Sequence, residues 1–193
     1  ASYRPSRGCE DVWLGHAIEI EHALLFNHDL VGLNVDFAKA FDWIPTHILL
    51  SLGKHLGLAP GVMRALEGMY AGLQRHWKIN GFIGSSFRST NGILQGCPLS
   101  VVLLNMLVHV LLTTEESEAP QTRGAAYADD IGFTSKTRLG TRKTLALLIE
   151  FCGRTGMKIN AGKSCVWSTS ARIRRALVGR MWVAGEAIPV LLE

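Results

Sequence analysis

The chain has 193 residues, 48% of them hydrophobic and 19% charged, with a formal net charge of +4 and a pI near 9.0. That balance excludes a disordered tail and supplies apolar surface for one sizeable domain or two small ones. The charge is uneven, with 12 Lys or Arg against 5 Asp or Glu from Gln121 onward and 8 against 11 before it. A polyanionic partner such as nucleic acid therefore competes with the plainer reading of solvated helix faces.

The opening "ASYRPSRG" has no helix start and no charged-then-apolar leader. Leu14 to Phe26 carries apolar residues at Leu14, Ile18 and Leu25, which predicts an amphipathic helix. Leu30 to Phe37 is short, apolar and partly β-branched, a buried strand ending near Asp36. "PTHILLSLGKHLG" reads as a helix closed by Gly57. "APGVMRALEGMYAGL" reads as another, with Pro60 in its first turn and a stripe of Val62, Leu66, Met69 and Leu73. Asn80-Gly81 between alternating segments signals a hairpin.

From Pro98, the residues Leu99, Val102, Leu103, Met106, Leu107 and Val110 predict a largely buried helix. Its run "VVLLNMLVHVLL" falls short of the ~20 residues of a membrane span and is broken by Asn105 and His109, so no membrane partner is expected. "GAAYADDIGFTS" gives two strand halves around Ala128 to Asp130, and Leu145 to Cys152 is helical. "CVWSTS" and "MWVAGEAIPVL" read as short strands, with "SARIRRALVG" between them undecided. Strands and helices mix without βαβ alternation, which predicts an α+β fold: a small antiparallel sheet packed on helices.

Cys9, Cys97, Cys152 and Cys165 show no metal-ligand spacing and read as reduced thiols, Cys152 and Cys165 core or half-buried, which suits an intracellular setting, nucleus or cytoplasm. His16, His22, His28, His47, His55, His76 and His109 likewise show none and read as structural or surface residues. Trp43, Trp77, Trp167 and Trp182 read as core anchors rather than stacking platforms.

The chemistry concentrates in aspartates that follow apolar strands. Asp36 ends one strand, and Asp129 and Asp130 follow a second. A lone buried carboxylate is costly and two adjacent ones more so. Successive strand residues face opposite sides, so Asp129 and Asp130 reach one site only from a tight turn. If the two strands are neighbours, Asp36 and Asp129 converge, with a repulsion of ~4 kcal/mol per close pair. A divalent cation removes that cost, and oxygen-only ligands favour Mg²⁺ or Mn²⁺, two of them in the arrangement used for in-line phosphoryl transfer.

"VDFAKAFDWIP", "NGILQGCPLS", "YADD" and "GMKINAGKS" occur in the order and spacing of motifs A to D of the reverse transcriptase palm, and the chain resembles the non-LTR retrotransposon and group II intron-like forms of that family. The resemblance implies an RNA-directed DNA polymerase that joins dNMP to a primer 3′-hydroxyl with two Mg²⁺ ions, Mn²⁺ substituting. Its partners would be an RNA template, a DNA primer, a dNTP and the rest of a longer polyprotein. It further implies that Asp36 and Asp129 are the main metal ligands, that Asp130 completes the site, and that Phe37 offers its backbone carbonyl. Phe41 matches the aromatic gate that excludes a ribose 2′-hydroxyl. Gln95 and Gly96 match the pair beneath the nascent base pair, and Lys163 the lysine near the departing pyrophosphate. Arg4 would contact phosphate.

Plainer readings stand beside these. Asp42 is a helix cap or supporting acid, Lys39 faces solvent, Phe41 alone would be core, Gln95 a turn residue and Lys163 a surface lysine. Val101 stands where the family's motif B has proline. "SYRPSRGCEDV" resembles the last part of the fingers, so residues 1–29 read as a residual fingers or palm-connecting segment and 30–193 as the palm, reaching the start of the palm–thumb hairpin, with partial fingers and no thumb. The rival to an enzyme is a catalytically inactive nucleic-acid-binding remnant of a retroelement.

Overall fold

The structure, a computed structural model, describes residues 8–191. In chain order the elements are α1 (Cys9–Leu25), β1 (Val31–Asp36), α2 (Ala40–Trp43), α3 (Thr46–His55), α4 (Pro60–Gly72), β2 (Arg75–Ile79), β3 (Phe82–Phe87) and α5 (Pro98–Glu118). There follow β4 (Thr122–Tyr127), β5 (Asp130–Ser135), α6 (Arg138–Thr155), β6 (Cys165–Ser168), α7 (Ala171–Leu177), β7 (Trp182–Val183) and β8 (Glu186–Ala187). The described residues form two compact units: residues 8–38 with 108–191, and residues 39–107.

The first unit is built on a sheet of order β4-β5-β1-β6, with every neighbouring pair antiparallel. Period-two alternation gives it two unlike faces. Val31, Leu33 and Val35 on β1, Ile131 and Phe133 on β5, Ala126 on β4 and Val166 on β6 are buried on one face. α6 packs there, and its Leu145 and Leu148 are buried. Thr137 Oγ1 accepts the Gly140 N–H at 3.1 Å to start α6, and Gly156 ends it at φ 72°, in the left-handed region. At Gly124 an added Cβ would lie 2.6 Å from Leu112 of α5 and 2.9 Å from Phe133. Here the backbone, not a side chain, fills the space.

The opposite face carries Asn34, Asp36, Asp130, Gly132, Thr134 and Arg123, and α1 lies across it. Glu19 on α1 accepts from Thr134 Oγ1 at 2.6 Å and pairs with Arg123 at 2.8 Å. The predicted α1 stripe of Leu14, Ile18 and Leu25 is 52%, 55% and 81% exposed. The sheet face is polar, so α1 turns His16 and Glu19 toward it and its apolar stripe outward. α1 also begins at Cys9 rather than Leu14, because the Asp11 carboxylate accepts the Gly8 N–H at 2.8 Å. The undecided "SARIRRALVG" contains the helix α7, with Ile173 and Leu177 buried.

The second unit holds α2, α3, α4, the β2–β3 hairpin and the first half of α5. In α4 the buried residues are Met63 and Leu66, one turn apart, whereas Val62 of the predicted stripe is 46% exposed. In α5 Leu103, Leu104, Met106, Leu107, Val108 and Leu111 are buried, while Leu99 and Val102 are exposed. By length and composition α5 could cross a membrane, and the core helix of a folded domain meets the same criteria. The expected core anchors among the tryptophans are corrected: Trp77 and Trp182 are 66% and 53% exposed, Trp43 is exposed and Trp167 half-buried.

Candidate active site

Everything in the acidic half of the site follows from the register of β1 and β5. Asp36 pairs directly with Asp130, and Tyr127 closes the β4–β5 hairpin opposite Asp130. Residues paired directly across an antiparallel ladder share a face. On its other side Asp36 is tied by both backbone groups: its N–H donates to Ser164 Oγ at 3.1 Å and its C=O accepts from Asn160 N–H at 2.8 Å. No backbone group of Asp36 is left for β5, so the Asp36–Asp130 pair is of the non-hydrogen-bonded kind, where Cα atoms approach to ~4.5 Å and side chains are closest.

Two like charges opposite one another destabilise a ladder. The Asp130 carboxyl is pushed above the usual carboxylate range, first by burial and then by the charges of Asp129 and Asp36. Asp130 is exposed as a whole residue, so solvent screens part of the repulsion. None of Asp36, Asp129 and Asp130 is in an ion pair among the described residues.

The hairpin loop is Ala128-Asp129. Ala128 sits at φ 54°, in the left-handed region, while Asp129 does not. Positive φ at the first loop residue alone is the pattern of a II′ turn, a position that favours glycine. The turn delivers two consecutive acids to one end of the sheet and answers how they escape burial: neither is fully buried.

Phe37 is buried and its ring meets Phe151, at 6.3 Å between centroids. Ala38 N–H donates to Lys158 O at 2.8 Å, so Asp36 and Ala38 both turn their backbone groups toward residues 158–160. Phe37, one residue out of phase, turns its own C=O to the side of the Ala128-Asp129 loop.

A cleft of about 540 Å³ lies on this face, lined by Asp36, Asp130, Asn34 and Tyr127 from the sheet, Trp13 and His16 from α1, and Lys163. Lys163 is exposed and lies in a turn closed by its own N–H to Asn160 O at 3.2 Å. Asp129 is outside the cleft lining. His16 lies against Gly132, where a Cβ would collide with its ring, and its Nε2 is buried without a hydrogen-bond partner among the described residues. Burial pushes the imidazole below its ordinary range, Glu19 opposes this and Arg123 adds to it.

Phe41, Gln95 and Gly96 belong to the second unit. There α2 is stitched to the loop ahead of α5: Ile93 N–H donates to Phe41 O at 2.7 Å and Gly92 N–H to Ile44 O at 2.8 Å. Phe41 is half-buried, so its ring is not a core ring. Gln95 and Gly96 are exposed. Gly96 has φ 82° and an added Cβ there meets no atom within 4 Å, so conformation rather than crowding within the chain accounts for this glycine. Asp42 lies exposed inside α2 and does not cap it, because the preceding Lys39 takes the N-cap at φ 47°. Arg4 lies outside the described residues.

The donor set of carboxylates and a carbonyl suits a hard divalent cation. Among the described residues no group of three or more His, Cys, Asp or Glu side chains is already gathered to hold a metal ion. The Asp36–Asp130 pair is in place, and Asp129 adds charge from the loop. The sequence reading missed Asn34, His16, Trp13, Tyr127 and the Asn160–Ser164 clamp. Asn34 had a signal: it is a polar residue in an apolar strand, two before Asp36 and so on its face.

Compared with known proteins, residues 1–175 match the family described as "Reverse transcriptase (RNA-dependent DNA polymerase)". The chain is 28% identical over 167 residues to the retrovirus-related Pol polyprotein from type-2 retrotransposable element R2DM of Drosophila melanogaster, a match covering 83% of this chain and 16% of that protein. It is 24% identical over 177 residues to the corresponding polyprotein from type-1 retrotransposable element R2 of Popillia japonica, covering 88% of this chain and 29% of that protein. The chain thus spans less than a third of either relative. Among solved structures, telomerase from Candida tropicalis in complex with a fragment of telomeric RNA superposes with a TM-score of 0.66 at 15% identity, over 86% of this chain and 30% of that one. That likeness shows the fold, an α+β polymerase palm.

Proposed function

This chain belongs to the reverse transcriptase (RNA-dependent DNA polymerase) family, and on that premise we propose that it is the palm of an RNA-directed DNA polymerase working within a longer retroelement polyprotein. The observation that carries the reading is the direct pairing of Asp36 with Asp130, with Asp129 beside it and no cationic partner among the described residues. Clustered acids without a counter-charge cost stability and call for a cation.

Asp36, Asp129, Asp130 and the Phe37 carbonyl would hold two Mg²⁺ ions, or Mn²⁺, which when bound supply charge neutralisation and Lewis acidity to the transferring phosphoryl group. Ser164 and Asn160 hold the Asp36 backbone, so its carboxylate starts from a fixed position. The primer 3′-hydroxyl, losing its proton to solvent, would attack the α-phosphate of a dNTP; the new P–O bond forms as the bond to the β-phosphate breaks and pyrophosphate leaves. Lys163, on the rim of the same cleft, would meet the departing negative charge and donate a proton to it. Phe41 excludes the 2′-hydroxyl, and Gln95 and Gly96 support the nascent base pair on the RNA template and DNA primer; Arg4 contacts phosphate. The division into a connecting segment over 1–29 and a palm over 30–193, and an intracellular setting, belong to the same proposal.

The inactive-remnant reading draws on one observation, the lack of a gathered three-ligand group among the described residues. Primer extension on an RNA template decides between them, with this chain in its full polyprotein and Asp36→Asn and Asp129→Asn as controls. The polymerase reading requires metal-dependent extension that both substitutions abolish. Extension unaffected by either, or no extension by the wild type, sides with the remnant.

A further inference from the structure

Arg75 opens β2 in the second unit, where it pairs with Phe87. Its guanidinium reaches the loop ahead of α5: Nη2 donates to Gly92 O at 3.1 Å, 17 residues further along the chain. Gly92 is buried and sits at φ 89°, in the left-handed region. A Cβ there would lie 3.0 Å from Asp42 O and 3.2 Å from Arg75 Nη2, so the loop backbone is held between α2 and the guanidinium. From Gly92 the loop runs as a splint along α2 and its exit. Ile93 N–H donates to Phe41 O, Gly92 N–H to Ile44 O, and Asn91 bridges Pro45. Thr46 Oγ1 extends the seam to Thr90 O at 3.3 Å. Ile44 and Ile93 are 0% and 2% exposed, so the seam is packed as well as bonded.

The rest of the Arg75 side chain is poorly satisfied. Its Nε is buried without a hydrogen-bond partner among the described residues, as are Tyr70 Oη and Ser100 Oγ. These groups are neighbours: burial pushes the Tyr70 hydroxyl above its ordinary range, and Ser100, Cys97, Arg75 and the Leu94 backbone modulate the shift. Arg75 has no ion pair among the described residues, with Asp42 or any other acid. Buried polar groups are normally hydrogen-bonded, and a half-buried cation with one bond and no counter-charge costs stability. A methionine would fill the space without that cost. What the arginine adds is a grip on the Gly92 carbonyl.

We infer that Arg75 is a positioning residue for nucleotide selection: it fixes Gly92 and Ile93, they fix the Phe41 backbone, and the aromatic ring is thereby set at its distance from the sugar. The inference rests on the gate role of Phe41 in the polymerase reading. A ring that excludes one hydroxyl works by distance, and a displacement of about 1 Å far from the chemistry can change a rate about 100-fold.

The test is primer extension on an RNA template by the full polyprotein, with kcat/KM measured for each dNTP and for its ribonucleotide. Arg75→Met should lower the preference for the dNTP about ten- to 100-fold. Arg75→Lys keeps a donor but not the planar fork, and should fall between Met and wild type. In a Phe41→Ala background, Arg75→Met should leave the ratio unchanged, because the two side chains act as one unit. A merely structural role would lower kcat and Tm and leave the ratio alone; that result overturns the inference, as does an equal loss of preference with and without Phe41. Amide exchange supplies a readout that needs no catalysis. Arg75→Met should accelerate exchange at Gly92 and Ile93 and leave the α6 amides at their wild-type rates, with circular dichroism showing that the variant is folded; if it is not, Arg75→Lys carries both measurements. Unchanged exchange at Gly92 and Ile93 overturns the inference whatever the polymerase does. Accelerated exchange in a polyprotein that extends no primer refutes the polymerase reading and the selection role with it, and upholds the anchor.

Discussion

Replacing Asp130 by Asn removes one of two carboxylates that face each other across β1 and β5 while keeping the side chain's shape. At a separation of ~5 Å the repulsion between two unit charges is about 1 kcal/mol in water and about 3 kcal/mol at a typical protein surface. Asp130 is exposed and Asp36 half-buried, so the lower value applies. Asp130→Asn should therefore stabilise the metal-free chain by about 1 kcal/mol, a rise in Tm of about 2–4 °C for a chain of this size. The gain has a pH signature. The Asp130 pKa is raised in the folded state, so wild-type stability from this group is fully present below the unfolded carboxylate pKa and is lost as pH rises through the folded one. The advantage of the variant should be small in acid, grow toward neutral pH, and shrink in high salt. Metal should reverse the order if the proposed site binds it: at ten times its Kd, Mn²⁺ would add about 1.4 kcal/mol to the wild type and little to a variant that has lost a ligand. Thermal melts in EDTA and in Mn²⁺ should cross, the variant higher in the first and the wild type in the second. A variant less stable than wild type in EDTA, or equally stabilised by Mn²⁺, refutes the electrostatic account of the pair.

Four further outcomes follow from the same geometry. Glu115 is 2% exposed, its Oε1 has no partner among the described residues, and burial with the Glu116 charge raises its pKa from 4.5 to about 7, against a backbone hydrogen bond at Gly124 that lowers it. Its stability contribution is full below pH 4.5 and lost as pH climbs to about 7, so Glu115→Gln should gain up to about 3 kcal/mol above pH 7 and nothing near pH 4, read by urea melts across pH. Ser164→Ala strands the Asp36 N–H and should cost about 1–3 kcal/mol in the same melts, with amide exchange at Asp36 accelerated. Ala128→Gly relieves a left-handed alanine and should raise stability by about 1 kcal/mol, a gain that calorimetry would detect. Phe41→Ala should admit ribonucleotides in primer extension by the polyprotein, and unchanged sugar discrimination would remove Phe41 from the gate role.

The acids were legible because a carboxylate after an apolar strand is conspicuous in sequence, and the Asn80-Gly81 turn because its backbone demands so few residue types. The orientation of α1 was not. Leu14, Ile18 and Leu25 have the right period for a buried stripe, yet the sheet face beneath α1 is polar, and nothing within the helix announces that. The α4 stripe failed by one residue, Met63 for Val62, because period alone leaves rotation about the helix axis open. Trp77 was assigned to the core on residue type, whereas the outer part of its two-stranded ribbon is exposed, Ile79, Phe82 and Ile83 with it. The clamp on Asp36 joins residues 128 apart through a serine that carries no motif meaning by itself. Long-range hydrogen bonds of that kind depend on strand order, which local patterns do not encode.

The order β4-β5-β1-β6 puts both aspartate-bearing strands inside the sheet and leaves the borders to β4 and β6. Fraying starts at borders, where amides have a partner on one side only. A peripheral strand can thus breathe, or drift in sequence over generations, while the inner pair keeps its spacing. The distance between the two carboxylates is insulated from the parts of the molecule that change most readily.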